Sequence, residues 1–485
     1  MLTDSPSIAP SPGAVRASGR SGLAQQLRTH RALLLVLLPA LVIRLVLLAS
    51  SAATPLQIED EQHYAAIASN LVRTREFAFA PGELTSMRPP LYPAFVATLW
   101  TLAGREDPQV VRSVQLGLGL LLVVVTYGLA LRLYSRREAL LAAAVVAFYP
   151  SLLYAGVLVL TEVLFTTFVM GFVLLFLALL ERPRALVAVT MGAVLGMAAL
   201  TRSVLWPFPV VLLPLLFVVI RAPLRTRFAI AGCCFAGFVA IVGPWAVRNT
   251  RLQHTFTVVE TMGGMNLRMG NYEYTPEDRM WDAVRLTGEK NWSYELGQTH
   301  PDVLSWTVGQ KDKWAQRAAI AYMVDHPWIT FRRSVLKFAD FWGQEREMIA
   351  ALQAGLYRPP RWFALLAMVS VLLAYPLVVL SAALGVGLAV PAERRAHWLI
   401  VAVIVFITAI HTIVFGHSRY HLPLVPFLAV YAAAAWTRGS WRTLVASPGT
   451  ATVSIVLMVA LVAGWSHEVL FRDAARIQAL LQAWL

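Results

Sequence analysis

Eleven long apolar runs constrain the fold of this chain more than any other feature of its sequence. A helix that crosses the hydrocarbon core of a membrane needs about 20 mainly apolar residues. Of the 485 residues, 58% are hydrophobic and only 14% are charged, whereas roughly 25% of the residues of a soluble domain are charged. We therefore predict an all-α polytopic membrane protein. Its expected spans are residues 31–50, 110–131, 138–156, 159–180, 185–201, 204–220, 228–247, 362–388, 396–416, 422–437 and 450–468.

Arginine clusters between the apolar runs predict how the spans are oriented. The net charge is +14, and the basic residues form no contiguous face for a nucleic acid. Connections rich in arginine usually stay in the cytoplasm, which here places the N-terminus there too. Two long connections, 51–109 and 248–361, then face outward and hold most of the Asp and Glu residues. The clusters are Arg132, Arg136 and Arg137; Arg182 and Arg184; Arg221, Arg225 and Arg227; Arg394 and Arg395; and Arg438 and Arg442.

The same pattern divides the chain into segments. The first 30 residues are rich in Ser, Pro, Gly and Ala and are expected to be disordered. The first apolar run is too long for a signal peptide, so we expect it to stay in the membrane. The predicted segments are a cytoplasmic tail 1–30, a seven-span module 31–247 that includes the outer loop 51–109, an outer region 248–361, the C-terminal spans 362–468 and a short outer tail 469–485.

Part of the outer region has the pattern of two amphipathic helices. These helices are expected within residues 304–342, with a break near Pro327. Several tryptophans and Phe331 fall among Arg and Lys there, a mixture that suits helices lying at the level of the lipid headgroups. A small soluble domain that packs its own core is the alternative interpretation.

Three adjacent acids, Glu59, Asp60 and Glu61, lie where the chain leaves the first span. An acid at the start of a helix caps free N–H groups, and that role alone would account for Asp60. One cap needs only one acid, however, and a carboxylate at the bilayer surface is partly desolvated. Desolvation is expected to raise its pKa toward the range of a general base. The helix itself is predicted from apolar residues on one face, Tyr64, Ile67, Ala68 and Leu71.

Arg88 lies in the same outer loop, directly before Pro89 and Pro90. Proline disfavours helix in the residue before it and is well tolerated in a first helical turn. The sequence therefore predicts Arg88 on extended backbone at the entry to a helix, close to the bilayer. A guanidinium there can bind a phosphate through two N–H groups. The alternative is an arginine that only extends toward lipid headgroups.

Glu162 is an acid within an apolar run, at the outer end of the predicted fourth span. An acid inside a membrane is costly and is a candidate functional group by default. Arg202, Arg248 and Arg419 lie in, or border, other connections that are expected to face outward. Each of these arginines could instead anchor the chain at the interface. The sequence places all of these side chains on one face without showing that they converge.

Six short motifs follow one another between and beside the predicted spans. They are DEQHY (60–64), RPPLYP (88–93), LTE (160–162), PWAVRN (244–249), GGMNLRMGN (263–271) and SRYHLPLVPFL (418–428). Together they resemble a known family, the bacterial GT-C membrane glycosyltransferases. The chain is most similar to the group related to protein O-mannosyltransferases and to the aminoarabinose transferase of lipid A, over residues 31–440. That resemblance implies a GT-C fold with about eleven spans and a large outer insertion after the seventh.

The resemblance also implies a reaction and a set of site residues. A sugar linked to a polyprenyl phosphate would be transferred, with inversion, to an acceptor hydroxyl on the outer face of the bacterial cytoplasmic membrane. Arg88 stands where the aminoarabinose transferase has a lysine that contacts the lipid phosphate. The implied catalytic residues are Asp60, Glu61 and Glu162; the donor phosphate would be bound by Arg88, Arg202, Arg248 and Arg419; and the substrate by Tyr64, Asn266, Asn271 and Tyr420.

Several questions stay open at the level of the sequence. Related enzymes have an acid near a metal or the acceptor at the position of Glu162, so a divalent cation as cofactor is neither predicted nor excluded. The sugar is unknown, and the acceptor could be a protein hydroxyl, lipid A or a polysaccharide. A flippase, transporter or polymerase of envelope glycans is the alternative function. It would need acids along a central pathway, and the apolar runs are nearly free of them.

Overall fold

The computed structural model describes residues 14–52, 54–277, 280–353, 355, 359–438, 448–474 and 478. Within these residues the chain is helical, and its one β-type pairing is an isolated bridge between Ala78 and Leu84. The helices are α1 (Ala14–Ser50), α2 (Glu59–Arg73), α3 (Leu91–Ala103), α4 (Pro108–Leu133), α5 (Arg136–Phe148), α6 (Pro150–Val157), α7 (Glu162–Glu181), α8 (Ala185–Thr201), α9 (Pro209–Val219), α10 (Leu224–Gln253), α11 (Gly263–Met269), α12 (Tyr294–Thr299), α13 (Val308–Asp325), α14 (Pro327–Phe341), α15 (Glu347–Gln353), α16 (Arg361–Leu388), α17 (Arg394–Ile413), α18 (Val425–Arg438) and α19 (Pro448–His467).

Every predicted span overlaps at least one helix, although several helices are shorter than the predicted runs. In the described part of the chain, 7 helices are long and apolar enough to cross a membrane, or 8 if the bent pair α5 and α6 counts as one span. The predicted runs 185–201, 204–220 and 422–437 correspond to the shorter helices α8, α9 and α18. The membrane-protein fold class is therefore confirmed, and the number of eleven spans stays a prediction.

The predicted span 138–156 is broken, which the apolar composition did not indicate. Helices α5 and α6 meet at an angle of 49°, because Pro150 has no N–H to continue the hydrogen-bond ladder and its ring clashes with the preceding turn. The break leaves carbonyl groups without helical partners. One of them, the carbonyl of Ala147, accepts a hydrogen bond of 2.8 Å from Arg44 on α1.

Both chain ends differ in part from the predicted tails. Helix α1 begins at Ala14, so residues 14–30 are helical where disorder was expected. Ala, Leu, Gln and Arg, which are good helix formers, make up much of this stretch, and it contains no proline. Residues 1–13 lie outside the described residues, as do Arg442 and most of the outer tail 469–485. The segment Glu468–Arg472 continues α19 with wider helical turns.

Helices α8 and α10 touch through their backbones. A Cβ atom on Gly192 would lie 1.8 Å from the carbonyl oxygen of Cys234, and one on Gly237 would lie 2.1 Å from the carbonyl oxygen of Val189. Small residues at facing positions allow this close approach between membrane helices. The contact brings the outer end of α8, which carries Arg202, next to the end of α10 and the segment that follows it.

The outer region 248–361 is helical, and it contains the predicted amphipathic pair. Helices α13 and α14 are separated at His326, and Pro327 opens α14. Helix α14 buries Arg333, Lys337 and Phe341 on one side. Its other side exposes aromatic residues such as Trp328. The arrangement holds the end of α14 against the segment that joins α17 to α18.

Candidate active site

The candidate site lies where several connections meet at the ends of the helices, on one side of the bundle. Helix α2 starts at Glu59, as predicted, and buries one face that includes Tyr64. Pro90 caps α3, which leaves Arg88 just before the helix. Glu162 is the first residue of α7, and Arg202 directly follows α8. The predicted helix starts around the site are therefore confirmed.

Asp60 forms ion pairs with two arginines from distant parts of the sequence. Its Oδ1 lies 2.8 Å from a terminal nitrogen of Arg88, and its Oδ2 lies 3.1 Å from one of Arg419. The guanidinium of Arg88 also donates a 2.8 Å hydrogen bond to Nδ1 of His63 and lies over the ring of Tyr64. The structure thus brings together the first outer loop and the connection between α17 and α18.

Glu162 continues the same cluster from its buried position. One carboxylate oxygen, Oε1, lies 2.5 Å from Nε of Arg419 and 3.2 Å from a terminal nitrogen of Arg202. Arg202 in turn lies over the ring of Tyr420. The side chain of Glu162 is only 1% exposed, and its second oxygen, Oε2, has no hydrogen-bond partner in the protein. Arg419 therefore bridges Asp60 and Glu162.

The pKa of Asp60 is shifted in the direction opposite to the one expected from desolvation. Burial does oppose ionisation of this carboxyl, but the charges of Arg419 and Arg88 outweigh it and hold the pKa of Asp60 below its ordinary value. The prediction of a raised pKa was wrong because it took account of desolvation at the bilayer surface but not of the ion pairs with Arg88 and Arg419. In this state Asp60 is ionised, and both of its oxygens are engaged by arginine.

Glu260 belongs to the same site and was missed from the sequence. It accepts a short hydrogen bond from the hydroxyl of Ser203, the residue after Arg202. Burial raises the pKa of Glu260 to about 7, although Ser203 and the charges of Arg88 and Arg202 act in the opposite direction. The available signal was a lone acid shortly after α10, between Val259 and Thr261. Its position in a long loop concealed its proximity to the arginines.

Glu260 predicts a pH dependence of stability. Because its folded-state pKa is raised from 4.5 to about 7, the folded protein binds one proton that the unfolded chain has lost. The contribution of Glu260 to the free energy of unfolding is therefore expected to be greatest below pH 4.5. It should fall by at most about 3 kcal/mol as the pH rises to about 7. Glu260→Gln should remove this slope. Thermal unfolding between pH 4.5 and 8 measures it, and an identical slope in both proteins would contradict the assignment.

A small cavity adjoins the ion-pair cluster and is lined by Glu162 and Arg419. Its wall also includes Glu345 and Glu347, which precede and begin α15 and were not among the predicted site residues. Glu345 is held by the hydroxyls of Tyr149 and Ser151 and by Nε2 of His421; the distances from Glu345 to Tyr149 and to His421 are 2.9 and 3.0 Å. Glu345 and Glu347 lie in, or directly after, the short connection between α14 and α15, whose path the apolar pattern does not define.

Comparison with known proteins identifies the fold. Residues 87–247 match the family described as dolichyl-phosphate-mannose-protein mannosyltransferase. The structure superimposes on ArnT from Cupriavidus metallidurans bound to undecaprenyl phosphate with a TM-score of 0.50 at 15% identity, covering 87% of this chain and 63% of that one. The chain has the GT-C fold. It spans less than two thirds of the length of that ArnT chain.

A second solved structure is less similar to this chain. The archaeal oligosaccharyltransferase AglB from Archaeoglobus fulgidus, in complex with an inhibitory peptide and a dolichol phosphate, gives a TM-score of 0.48 at 13% identity. The match covers 90% of this chain and 55% of AglB. No curated protein sequence matches the chain significantly.

Within this GT-C fold, Glu61 is buried and bound by backbone groups. It is 1% exposed, and both of its carboxylate oxygens accept hydrogen bonds from backbone N–H groups. Two of these groups cap the start of α2, at Gln57 and Ile58, and the third belongs to Val159. Glu61 therefore joins α2 to the loop before Glu162, and its catalytic role stays a prediction.

Arg248 and Asn271 also bind protein groups in place of the predicted ligands. Arg248 donates to the backbone carbonyl of Thr85 at 2.6 Å and to the side chain of Asn249, so it holds the first outer loop. Asn271 is buried and accepts from the ammonium of Lys337 at 2.8 Å. The predicted contacts of Arg248 with the donor phosphate and of Asn271 with the substrate stay predictions. Asn266 is half-buried on the short helix α11, and its predicted substrate contact stays a prediction.

The residues around Glu162 do not suit a divalent cation. In the described part of the GT-C fold, no group of three or more His, Cys, Asp or Glu side chains could hold a metal ion. Glu162 and Asp60 already face the positive charges of Arg202, Arg419 and Arg88. The three guanidiniums outnumber the two carboxylates, so the cluster carries a net positive charge. That charge would repel a cation and attract an anion.

Proposed function

We propose that this protein is an inverting glycosyltransferase that moves a sugar from a polyprenyl-phosphate donor to an acceptor hydroxyl on the outer face of the membrane. The observation that carries the proposal is the ion-pair cluster in which Arg419 bridges Asp60 and Glu162, flanked by Arg88 and Arg202. The GT-C fold and the match to a mannosyltransferase family support the same reaction class. The ArnT structure was solved with undecaprenyl phosphate, a lipid of the proposed donor class.

Charge explains how the cluster would bind the donor. Three guanidiniums, from Arg88, Arg202 and Arg419, outnumber the two carboxylates in contact with them by one. The phosphodiester of a polyprenyl-phosphate sugar carries one negative charge, which matches this excess. Arginine N–H groups form strong, paired hydrogen bonds with phosphate oxygens. As the sugar leaves, negative charge grows on the phosphate, and guanidiniums already in place stabilise that state more than the ground state.

Donor binding would also prepare Asp60 as the base. A phosphate that binds Arg88 and Arg419 competes with Asp60 for the same N–H groups. Once released, the carboxylate loses the charges that lower its pKa, so it becomes a stronger proton acceptor. It can then take the proton of the acceptor hydroxyl as that oxygen attacks the anomeric carbon opposite the phosphate. Attack from the opposite side inverts the configuration of the sugar.

The proposal includes an orientation in the bacterial cytoplasmic membrane. The arginine-rich connections support a cytoplasmic N-terminus, and the site would then lie at the outer surface. The exposed Trp328 and Phe331 on α14 suit contact with lipid headgroups near the site. A polyprenyl chain could remain in the bilayer while its phosphate reaches the arginines.

Binding of the lipid phosphate by Arg88 provides the test of this proposal. Arg88→Gln should weaken binding of polyprenyl phosphate by about 10- to 100-fold, because charge-assisted hydrogen bonds contribute about 1.5–3 kcal/mol. Arg88→Lys keeps the charge and should lose less. Microscale thermophoresis or native mass spectrometry in lipid nanodiscs measures the affinity.

The matched control is Arg105→Gln in the same outer loop, where the side chain is 68% exposed and pairs with Asp107. This variant should bind the lipid phosphate like the unmodified protein. Equal affinity in Arg88→Gln would contradict the proposed donor site. Donor-dependent movement of lipid across the bilayer without sugar transfer would instead favour a flippase.

A further inference from the structure

His63 carries an inference that rests on the proposed function and concerns how Arg88 is held for the donor phosphate. Asp60 and His63 lie one helical turn apart on α2, and thus on the same face of the helix. One terminal nitrogen of Arg88, Nη2, lies 2.8 Å from Oδ1 of Asp60 and 2.8 Å from Nδ1 of His63. Both N–H groups of this nitrogen are therefore engaged by α2.

The contact with Arg88 determines which nitrogen of the His63 ring carries the proton. A guanidinium has donors and no acceptor, so Nδ1 of His63 accepts the hydrogen bond. The ring is then neutral with its proton on Nε2, which lies 3.8 Å from the exposed carboxylate of Glu59. Burial and the charge of Arg88 lower the pKa of His63, although Glu59 and Asp60 act in the opposite direction. His63 therefore offers Arg88 an acceptor at neutral pH.

The ring of His63 is also held by the first outer loop. Phe79 packs against it, with 5.0 Å between the ring centroids. Asn70, on the same helix as His63, donates to the backbone carbonyls of Ala78 and Phe79 at 3.0 Å each. These contacts fix the position of Nδ1 relative to Arg88.

Arg88 has a further donor that the protein does not use. Its Nε–H group is buried and has no hydrogen-bond partner among the residues that the structure describes. A buried donor without an acceptor is unfavourable, and an oxygen of a phosphate would satisfy it. The guanidinium is thus held at Nη2 and available at Nε.

We propose that His63 is a positioning residue that keeps Arg88 in place while the donor phosphate displaces Asp60. In the complex, His63 retains one N–H group of Nη2. The N–H group that Asp60 gives up and the Nε–H group then bind two oxygens of the phosphate. Asp60 alone cannot hold Arg88 throughout the reaction, because the same carboxylate must leave the guanidinium to act as the base. The neutral ring suits this role because it does not compete with the phosphate as a second anion would.

Substitutions that keep or remove the acceptor at position 63 test the inference. His63→Asn keeps an acceptor, since Oδ1 of asparagine and Nδ1 of histidine are both bonded to Cγ. His63→Leu and the smaller His63→Ala remove it. In lipid nanodiscs at neutral pH, both of these variants should bind undecaprenyl phosphate about tenfold more weakly, whereas His63→Asn should stay within about threefold. Adding His63→Leu to Arg88→Gln should weaken binding by less than about twofold more, because His63 acts through Arg88.

The matched control is Gln62→Leu, at the exposed neighbour of His63 on α2. This variant should bind undecaprenyl phosphate like the unmodified protein. Unchanged affinity in folded His63→Leu or His63→Ala, with Arg88→Gln still weakened, would overturn the inference and leave the proposed function standing. So would a further tenfold loss when His63→Leu is added to Arg88→Gln. Unchanged affinity in all of these variants, Arg88→Gln included, would overturn both the inference and the proposed donor site.

Discussion

Replacing Asp60 by asparagine should reduce sugar transfer by about 10²- to 10⁴-fold, the contribution of a positioned general base. Asparagine has nearly the same shape, but it cannot take a proton from the acceptor hydroxyl. The two arginines that contact Asp60 would gain a free positive charge, so donor binding should be kept or strengthened. Turnover with a matched donor and acceptor, measured beside donor affinity, separates these two effects.

The control for this variant is Glu59→Gln, in which the neighbouring acid loses its charge. Glu59 is 81% exposed in its side chain and lies beside His63 rather than the arginines. It should keep most of the activity. Full activity of a folded Asp60→Asn protein would show that another group takes the proton. Glu260 would then be the next candidate, since its pKa of about 7 suits a base at neutral pH.

Replacing Arg419 by methionine should abolish transfer and also destabilise the protein. This arginine bridges Asp60 and Glu162, and the side chain of Glu162 is 1% exposed. Removing one partner of a buried ion pair typically costs about 3–5 kcal/mol. The loss here should be about 2–3 kcal/mol, because Arg202 continues to pair with Glu162. Thermal unfolding in detergent and the transfer assay measure the two effects.

A second substitution separates stability from function at this position. Arg419→Met combined with Glu162→Gln removes the unpaired charge and should recover most of the stability without recovering transfer. Arg438→Gln provides the control, since Arg438 pairs with Glu138, an acid that is 4% exposed, on a different part of the protein. Its transfer activity should be unchanged. Recovery of transfer in the double variant would contradict the proposed role of Arg419.

The residues of the ion-pair cluster could be singled out from the sequence because most of them lie next to the ends of apolar runs. Asp60, Glu162 and Arg202 each lie at a helix terminus, and a membrane brings such termini to one level. The two prolines before α3 made it possible to predict that Arg88 lies at the entry to a helix. Resemblance to a family supported the same residues. The ion pairs themselves, and the lowered pKa of Asp60 that results from them, required coordinates.

Residues in the long outer region were harder to assign. Glu260, Glu345 and Glu347 reach the site through loops whose path no periodicity defines. Adjacent residues posed a different problem, because successive side chains of a helix point about 100° apart. Asp60 therefore meets the arginines while its neighbour Glu61 caps α2 and binds Val159. A run of acids alone does not show which one faces the site.

A cryo-EM structure of the protein with a non-hydrolysable polyprenyl-phosphate sugar analogue tests the central claim most directly. We expect the phosphate within hydrogen-bond distance of Arg88 and Arg419, with Asp60 released from both guanidiniums and facing the anomeric carbon. Their distances to Asp60, now 2.8 and 3.1 Å, should lengthen beyond 4 Å, the usual limit for an ion pair. A phosphate bound elsewhere, with both ion pairs intact, would contradict the proposed mechanism.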